Sequence, residues 1–266
     1  MSKNTPFKSG MSPLTGLRVL DFSHVIAGPF ATLYLSQLGA EVTKVEKPGG
    51  GDVMRASDKG AYQFAAFNAG KTCVEIDIKS DAGRQQALNL AKNCDVLVDN
   101  FRPGALERAG LGYAEVKKIN PQLIYCSISG FGTSEKAASL PGYDLLLQGM
   151  SGLMSITGSD ENNPAKVGVA LVDVITGLHA VVGILSALRA RDEQGIGQKV
   201  ELNLLSSTLS ALVNQASAYI SAGTIPKAMG NAHPSIAPYQ VFDAKDKQFI
   251  VAVGSDSQFI KFAGVI

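Results

Sequence analysis

Asp173 is the residue whose type and position point most directly to chemistry. It lies within the segment Val167–His179, directly before a long apolar run. This position is typical of a helix N-cap, and capping a backbone N–H is one complete explanation for an aspartate there. A second explanation is chemical, because the positive end of a helix dipole keeps a carboxylate ionised, and an ionised carboxylate can attack an activated acyl carbon. Position alone leaves both explanations open.

Motifs of other reaction classes are absent from the chain. The loop Ser23–Pro29, which follows the first predicted strand, lacks the G-x-G-x-x-G spacing of a dinucleotide site. The chain contains neither a G-x-x-x-x-G-K-[ST] phosphate loop nor a G-x-S-x-G nucleophile motif. The three histidines are far apart and lack metal-ligand spacing, so we expect no metal site; they are His24, His179 and His233.

Amino-acid composition indicates which classes of partner and which cellular compartment are expected for this chain. Apolar residues make up 45% of the 266 residues, and 24 Lys and Arg nearly balance 23 Asp and Glu, which favours a globular protein without a nucleic-acid or membrane partner. Cys73, Cys94 and Cys126 are widely spaced, which is typical of free thiols in a reducing cytoplasm. The polar segment Met1–Gly10 lacks the apolar core of a signal peptide. We therefore expect a cytoplasmic location.

The elements that position Asp173 begin with strands alternating with helices. Predicted strands are Leu17–Phe22, Glu41–Glu46, Val74–Ile78, Asp95–Val98 and Leu123–Ser129. Predicted helices are Phe30–Leu38 with Pro29 at its start, Asp81–Lys92 and Pro103–Ala109. Such alternation implies right-handed crossovers and a parallel sheet. We predict an α/β fold with a Rossmann-like, mainly parallel sheet and helices on both faces.

The second half of the chain is more helical. Its predicted elements are a helix at Val174–Arg191, a strand at Lys199–Asn203, a helix at Leu204–Ser221, a strand at Phe249–Val253 and a helix start at Asp256–Gly264. The apolar stretch before Leu188 is interrupted by Asp173, and the remainder is shorter than the ~20 residues of a membrane span, so we expect a buried helix. We predict a large domain over residues 11–225, with a linker and the incomplete start of a second, smaller α/β domain over 226–266.

Several blocks, in order, resemble the family III CoA-transferases, the family of formyl-CoA transferase and the carnitine CoA-transferases. The matching blocks are Gly16–Asp21, Ala27–Pro29, Leu38–Val42, Lys44–Glu46, Asp99–Gly104, Gly110–Tyr113, Ser127–Gly132, Asp173 with Thr176–Gly177, and Gly195–Gln198. The resemblance covers the chain from about Leu14 onwards. It implies a Rossmann-like domain that binds coenzyme A, and Asp173 as a nucleophile that forms an aspartyl-CoA thioester.

The same resemblance implies binding residues. Tyr143 and Asp144 match positions that line the acyl pocket. The residues implied to contact coenzyme A are Val25, Ile26, Ala27, Lys47, Ile76, Lys79, Asn100, Phe101, Arg102 and Arg108. Taken singly, Lys47 and Lys79 are more typical of solvated surface lysines, and Phe101 is also compatible with core packing. No permanent cofactor is implied, because coenzyme A or acyl-CoA is the substrate, together with a small carboxylic acid.

Two departures from the family pattern shape the expected function. The family's formyl-CoA branch has a glycine-rich loop in the region after Tyr219, where this chain has only Gly230–Pro234, so we expect a dicarboxylic acid, with succinyl-CoA as donor. Family members are longer and form interlocked homodimers, so the chain is expected to be truncated and to dimerise only at full length. Two alternatives are an α-methylacyl-CoA racemase-like isomerase, whose relatives carry a His where this chain has Tyr143, and an inactive fragment that binds coenzyme A.

Overall fold

The structure, a computed structural model, describes residues 12–56 and 58–266. These residues form two compact units, one reaching to Leu147 and resuming at Ala170–Ala211, the other comprising Gln148–Val169 and Leu212–Ile266. This division differs from the predicted boundary between residues 225 and 226, because it assigns 148–169 and 212–225 to the second unit. The segment Met1–Gly10 and residue 11, the first of the predicted large domain, lie outside the described residues.

A six-stranded sheet forms the centre of the first unit. Its strands are β1 Arg18–Asp21, β2 Glu41–Glu46, β3 Thr72–Glu75, β4 Val96–Asp99, β5 Ile124–Ser129 and β6 Lys199–Asn203. The spatial order is β3-β2-β1-β4-β5-β6, and every neighbouring pair is parallel. The direction of the winding reverses between β1 and β4, so the loops that follow these strands diverge and open a crevice where ligands of such sheets bind.

Helices cover this sheet on both faces. The helices along this part of the chain, not all of which lie on the sheet, are in chain order α1 Ala27–Gln37, α2 Asp58–Phe67, α3 Asp81–Ala91, α4 Ala105–Arg108, α5 Tyr113–Ile119, α6 Glu135–Ala138, α7 Asp144–Met150, α8 Leu171–Gln194 and α9 Leu204–Ala211. A short 3-10 helix, Val53–Ala56, precedes α2. This arrangement confirms the predicted Rossmann-like α/β fold with a parallel sheet.

Alternation along the strands divides the core into two layers. Val96 and Val98 of β4 pack with α1 and α8, whereas Leu97 between them packs on the opposite face with α3, α4 and α5. All residues of β4 are buried, which explains why its first three residues are all apolar. The sheet is therefore held rigidly from both sides, and its strand ends provide fixed positions for side chains.

The second unit contains an antiparallel strand pair and helices. A 3-10 helix at Met154–Ile156 is followed by α10 Val213–Ala222, β7 Tyr239–Asp243, β8 Gln248–Ala252 and α11 Asp256–Ala263. Strand β7 pairs with β8. Ser255 caps α11 by accepting a hydrogen bond from the Gln258 N–H.

Three element predictions need correction. The helix predicted over Leu204–Ser221 is two helices, because Leu212 interrupts it and Val213 has a φ of 42°. Pro29 is the third residue of α1 rather than its first. Helix α8 starts at Leu171 and has Ala170 at its N-cap, so the N-cap interpretation of Asp173 is wrong.

Helix α8 is long and apolar enough to cross a membrane by length and composition alone. In the fold, its buried residues belong to the core layer between the sheet and α1, and they include Val172, Ala180 and Ile184. The prediction of a helix packed in a protein core is therefore confirmed.

Candidate active site

A cavity of about 240 Å³ lies at the carboxyl ends of the strands in the first unit. It is lined by the loop after β1, the loop after β4, the turn before α7 and the first turn of α8. Nine of the predicted site residues line it: Val25, Ile26, Ala27, Asn100, Phe101, Arg102, Tyr143, Asp144 and Asp173. Sequence-distant residues thus converge at the crevice that the strand order creates.

Asp173 is the third residue of α8, and Asp144 supplies the cap of this helix. One carboxylate oxygen of Asp144, Oδ2, accepts hydrogen bonds from the backbone N–H of Val172 at 2.8 Å and of Asp173 at 3.3 Å. These N–H groups have no partner within a helix, and a carboxylate is one of the side-chain types that satisfy them well. Asp144 therefore fixes the backbone of the first turn of α8, which positions the side chain of Asp173.

The carboxyl group of Asp173 is not held ionised as the sequence suggested. Burial, and secondarily the charge of Asp144, raises its pKa from 3.8 to about 7. Both causes disfavour the anion, and they outweigh the helix dipole. Near neutral pH the group therefore populates both the acid and the carboxylate, which is a common state of catalytic carboxyl groups.

Close backbone contact brings the Tyr143–Asp144 turn onto the end of β5. A Cβ atom added to Gly142 would lie 2.6 Å from the Cα of Gly130, and the reverse distance is the same. Only glycine at both positions permits this approach. Tyr143, 70% exposed, then lies on the rim of the cavity.

Buried charged side chains contact the backbone of the loop after β1 and stabilise it. Val25 has a φ of 64°, which a β-branched residue rarely adopts, and its N–H faces the carboxylate of Asp52 at 3.2 Å. Lys44 pairs with Asp52 at 3.3 Å and donates a hydrogen bond to the carbonyl of Ser23 at 2.6 Å. The side chains of Lys44 and Asp52 are fully buried. The backbone of the loop is thus fixed in an unusual conformation that places Ile26 and Ala27 on the cavity wall.

A second buried ion pair anchors the other side of this loop. Lys71 contacts Asp21 at 3.0 Å, and Asp21 also accepts hydrogen bonds from Ser23 and from Thr32 of α1. Burial alone would raise the pKa of Asp21, but Lys71, Lys44 and the two hydroxyl groups outweigh it and lower the pKa to about 2. The charge on Asp21 is therefore permanent, and it holds the end of β1 to the start of α1.

Asn100 joins the two loops that flank the crevice. Its side-chain Oδ1 accepts from the His24 N–H at 2.7 Å, and its Nδ2 donates to the His24 carbonyl at 2.8 Å. The residue predicted to contact coenzyme A thus has a structural contact, with the backbone of the neighbouring loop. Phe101 follows it, and its N–H donates to Asp99 at 3.2 Å.

Phe101 also lines a second, larger cavity of about 470 Å³. The basic residues Lys79, Arg84 and Arg108 line this cavity, two of which belong to the predicted set. The two cavities therefore have one aromatic wall in common, and the second is the more cationic. Such a pair of cavities suits an elongated ligand with one anionic end.

Two predicted residues line neither of these cavities. The side chain of Ile76 is 3% exposed and packs in the core layer with Val45, so only its backbone is available to a ligand. Lys47 is exposed and follows β2. Their roles remain predictions.

His24, Ser129 and Gly130 line the first cavity and were not among the predicted residues. His24 was considered only as a metal ligand, although it precedes three predicted residues in the same loop. Ser129 and Gly130 lie within the matched block Ser127–Gly132, which could have identified them. Within residues 12–56 and 58–266, no group of three or more His, Cys, Asp or Glu side chains is arranged to hold a metal ion.

Comparison with known proteins matches this architecture to one family. The model of CoA-transferase family III matches residues 14–266. The chain belongs to CoA-transferase family III. The resemblance read from the motif blocks is thereby confirmed.

Individual relatives of the family III chain act on several acids, according to their names. The chain is 40% identical to the succinate–glutarate CoA-transferase of Agrobacterium fabrum over 96% of its own length and 66% of that protein. It is 42% identical to the succinyl-CoA:glutarate CoA-transferase of Mus musculus over 94% and 58%, respectively. It is 39% identical to the acetyl-CoA:oxalate CoA-transferase of Acetobacter aceti over 100% and 69%.

A solved structure supports the fold assignment. A CaiB/BaiF family protein from Brucella suis superimposes with a TM-score of 0.86 at 42% identity, covering 96% of this chain and 69% of that one. The chain spans 66% of the length of the Agrobacterium fabrum relative and 58% of the Mus musculus relative.

Proposed function

We propose that this chain contains the nucleophile and the coenzyme A site of an acyl-CoA:carboxylate CoA-transferase. One observation carries the proposal: in a member of family III, Asp173 and the loops predicted to bind coenzyme A line the same cavity. Aspartate at the first turn of a helix, with a pKa near neutrality, combines a usable anionic fraction with the nucleophilicity of a more basic carboxylate.

The proposed reaction exchanges one thioester for another. A carboxylate oxygen of Asp173 attacks the thioester carbonyl carbon, the carbon–sulfur bond breaks, and coenzyme A leaves as the thiolate, giving a mixed anhydride. The thiolate then attacks the acyl carbon of Asp173, and the first acid leaves as its carboxylate, so that an aspartyl-CoA thioester remains. The second acid attacks this thioester and the two steps run in reverse, which restores the Asp173 carboxylate.

Cavity size suggests how such a substrate would divide between the two cavities. A volume of about 240 Å³ is smaller than ligand sites for large cofactors, so the Asp173 cavity suits the acyl group and the adjoining thioester. The second cavity, with Lys79 and Arg108, suits the phosphates, since both side chains are cationic donors. Exclusion of water from the first cavity would protect the anhydride from hydrolysis.

Dicarboxylic acids are the proposed substrate class, with succinyl-CoA as donor. Two relatives at 40% and 42% identity bear the names of succinate or succinyl-CoA and glutarate transferases. The expected assembly of the complete protein as a homodimer, and its location in the cytoplasm, belong to the same proposal. Light scattering of the purified protein would determine the assembly.

Trapping of the adduct tests the proposal. After incubation with succinyl-CoA, mass spectrometry of the peptide that contains Asp173 should detect a covalent adduct that hydroxylamine releases. Asp173→Asn should give no adduct. The rate of adduct formation should rise about tenfold between pH 6 and pH 8, because the carboxylate fraction rises through the pKa of about 7. A folded protein that binds coenzyme A without forming any adduct would refute the covalent step.

A further inference from the structure

His24 lies in the wall of the Asp173 cavity, and the proposed reaction leaves it without a role. Its backbone is fixed on both sides by Asn100, and its ring packs edge-on against Phe101 with centroids 4.7 Å apart. The side chain is 26% exposed. The imidazole therefore packs against Phe101 at the surface of the cavity.

The two ring nitrogens of His24 have different environments. Nδ1 is buried and has no hydrogen-bond partner within the part of the chain that the structure describes. Its nearest charged neighbour is the fully buried carboxylate of Asp52, with Oδ2 at 4.0 Å. Buried polar nitrogens without a partner are rare, and a small rotation of the ring would bring Nδ1 within hydrogen-bonding distance of Asp52. Nε2, unlike Nδ1, is not a buried atom without a partner, and the side chain as a whole is 26% exposed.

Charge and tautomer follow from these surroundings. Burial lowers the pKa of His24, although Asp52 opposes this effect, so the ring is neutral near pH 7. A neutral imidazole carries one proton, and the carboxylate of Asp52 favours its placement on Nδ1. Nε2 consequently has a free lone pair and acts as an acceptor.

We propose that His24, oriented by Asp52, binds the pantetheine arm of coenzyme A by accepting a hydrogen bond at Nε2 from an N–H, O–H or S–H group. The inference rests on the proposed function, which supplies coenzyme A as the ligand. Ionised dicarboxylic acids and phosphates are acceptors only, so a neutral Nε2 cannot bind them. The arm, in contrast, has two amide N–H groups, a hydroxyl group and, in the free coenzyme, a terminal thiol.

Imidazole nitrogen NMR tests this inference on the unmodified protein. The chain has three histidines, and His179→Asn and His233→Asn assign the signals by elimination. We expect the Nδ1–H tautomer at His24 and a shift of its Nε2 signal on addition of coenzyme A, with the other two histidines unchanged. Desulfo-coenzyme A, which lacks the thiol, distinguishes the donors: a retained shift identifies an amide or the hydroxyl group, and a lost shift identifies the thiol.

A matched pair of variants tests the position of the acceptor. His24→Gln extends an amide oxygen to about the position of Nε2, whereas the shorter His24→Asn does not. We expect the dissociation constant for coenzyme A to stay within about threefold for His24→Gln and to rise about five- to tenfold for His24→Asn, as for loss of one neutral hydrogen bond. Equal effects of both variants would indicate packing alone and contradict the inference.

The two proposals fail separately. If calorimetry detects binding of coenzyme A but the His24 signals do not move, the role of His24 is refuted and the proposed function stands. If coenzyme A does not bind the folded chain at all, both are refuted.

Discussion

At the scale of the residue, Asp173 is a carboxyl group that must react as an anion in surroundings that disfavour the anion. Burial and the neighbouring charge of Asp144 both raise its pKa. The buried Asp173 carboxylate loses its favourable interaction with water, and this loss reduces the stability of the fold. Such a cost is common at active sites. Reactivity and stability should therefore respond to the same charge.

Asp173→Asn should stabilise the protein in a pH-dependent manner. The pKa of Asp173 is about 7 in the folded protein, above the ordinary value of 3.8, so the wild-type carboxyl group stabilises the fold fully below about pH 4. This contribution is lost as the pH rises through 7. Asparagine does not titrate, so the variant's gain in free energy of unfolding should grow between pH 4 and 7 and level off at about 1–3 kcal/mol. Urea denaturation at a series of pH values measures the difference.

The titration of Asp99 does not affect the comparison of wild type with Asp173→Asn. Burial also raises the pKa of Asp99 to about 7, but Asp99 is the same in both proteins and its contribution cancels in the difference. Denaturation curves of wild type and variant that stay parallel from pH 4 to 8 would show that the pKa of Asp173 is not raised in the folded protein.

At the scale of the element, the start of α8 depends on a residue 28 positions earlier, in the first turn of α7. Asp144 caps the helix through two backbone N–H groups and also raises the pKa of Asp173. Gly177, one turn further along α8, makes a second close approach, since a Cβ atom there would lie 2.8 Å from the carbonyl oxygen of Ala27. Helix α8 is therefore aligned with both the Tyr143–Asp144 turn and the loop after β1.

Asp144→Asn and Asp144→Ala separate these two effects of Asp144. Asparagine caps as well as aspartate but has no charge, so its expected effect is a lower pKa of Asp173 and a shift of the adduct-formation profile to lower pH. Alanine removes both the charge and the cap, so it should shift the profile similarly and also cost about 1 kcal/mol in free energy of unfolding. Rates of adduct formation and urea denaturation provide the two measurements. An unchanged profile in both variants would show that Asp144 does not influence the ionisation of Asp173.

Strands were predictable where local sequence determines them. The bounds of β2 and β6 agree with the prediction, because both are short runs in which valine or leucine residues are separated by polar residues. Helix α2 was not predicted, since its sequence DKGAYQFAAF contains a glycine and buries few residues. The break at Leu212 was also missed, because neither glycine nor proline marks it.

The site was predictable in its composition but not in its contacts. The resemblance identified half of the residues that line the first cavity. The cap of α8 was nevertheless assigned to Asp173, because the sequence cannot reveal a partner as distant as Asp144. Buried pairing between Lys44 and Asp52 was equally inaccessible, since charged residues in a sequence are read as exposed until a partner is located. Polar contacts between residues far apart in the chain could not be predicted from the sequence.

At the scale of the whole molecule, the chain comprises two compact units, and the residues of both cavities belong to the first. The first cavity nevertheless combines segments that are more than 140 residues apart in the sequence, from Val25 to Asp173. Strand order explains this combination, because β1 and β4 are adjacent at the reversal of the sheet. Ligand binding should therefore stabilise one unit of the chain selectively.

Hydrogen exchange with and without coenzyme A should reveal this selectivity. A ligand at 100 times its dissociation constant stabilises the state that binds it by about 2.7 kcal/mol. Amide protection should increase in the first unit, most at the loops after β1 and β4, and remain unchanged in residues 148–169 and 212–266. The stabilisation by the ligand should be limited to the first unit, because the residues that line the two cavities all belong to that unit.

Pantetheine, which lacks the phosphates and the nucleoside, serves as the matched control ligand for this exchange experiment. It should protect the loop that contains Val25 and the first turn of α8, but not the segments Ile78–Arg84 and Ala105–Ala109 that line the cationic cavity. Coenzyme A should protect both sets, because its phosphates require cations that the first cavity supplies only at Arg102. Protection of the cationic segments by pantetheine would mean that the arm, rather than the phosphates, occupies the second cavity, and the assignment of the two cavities would have to be reversed.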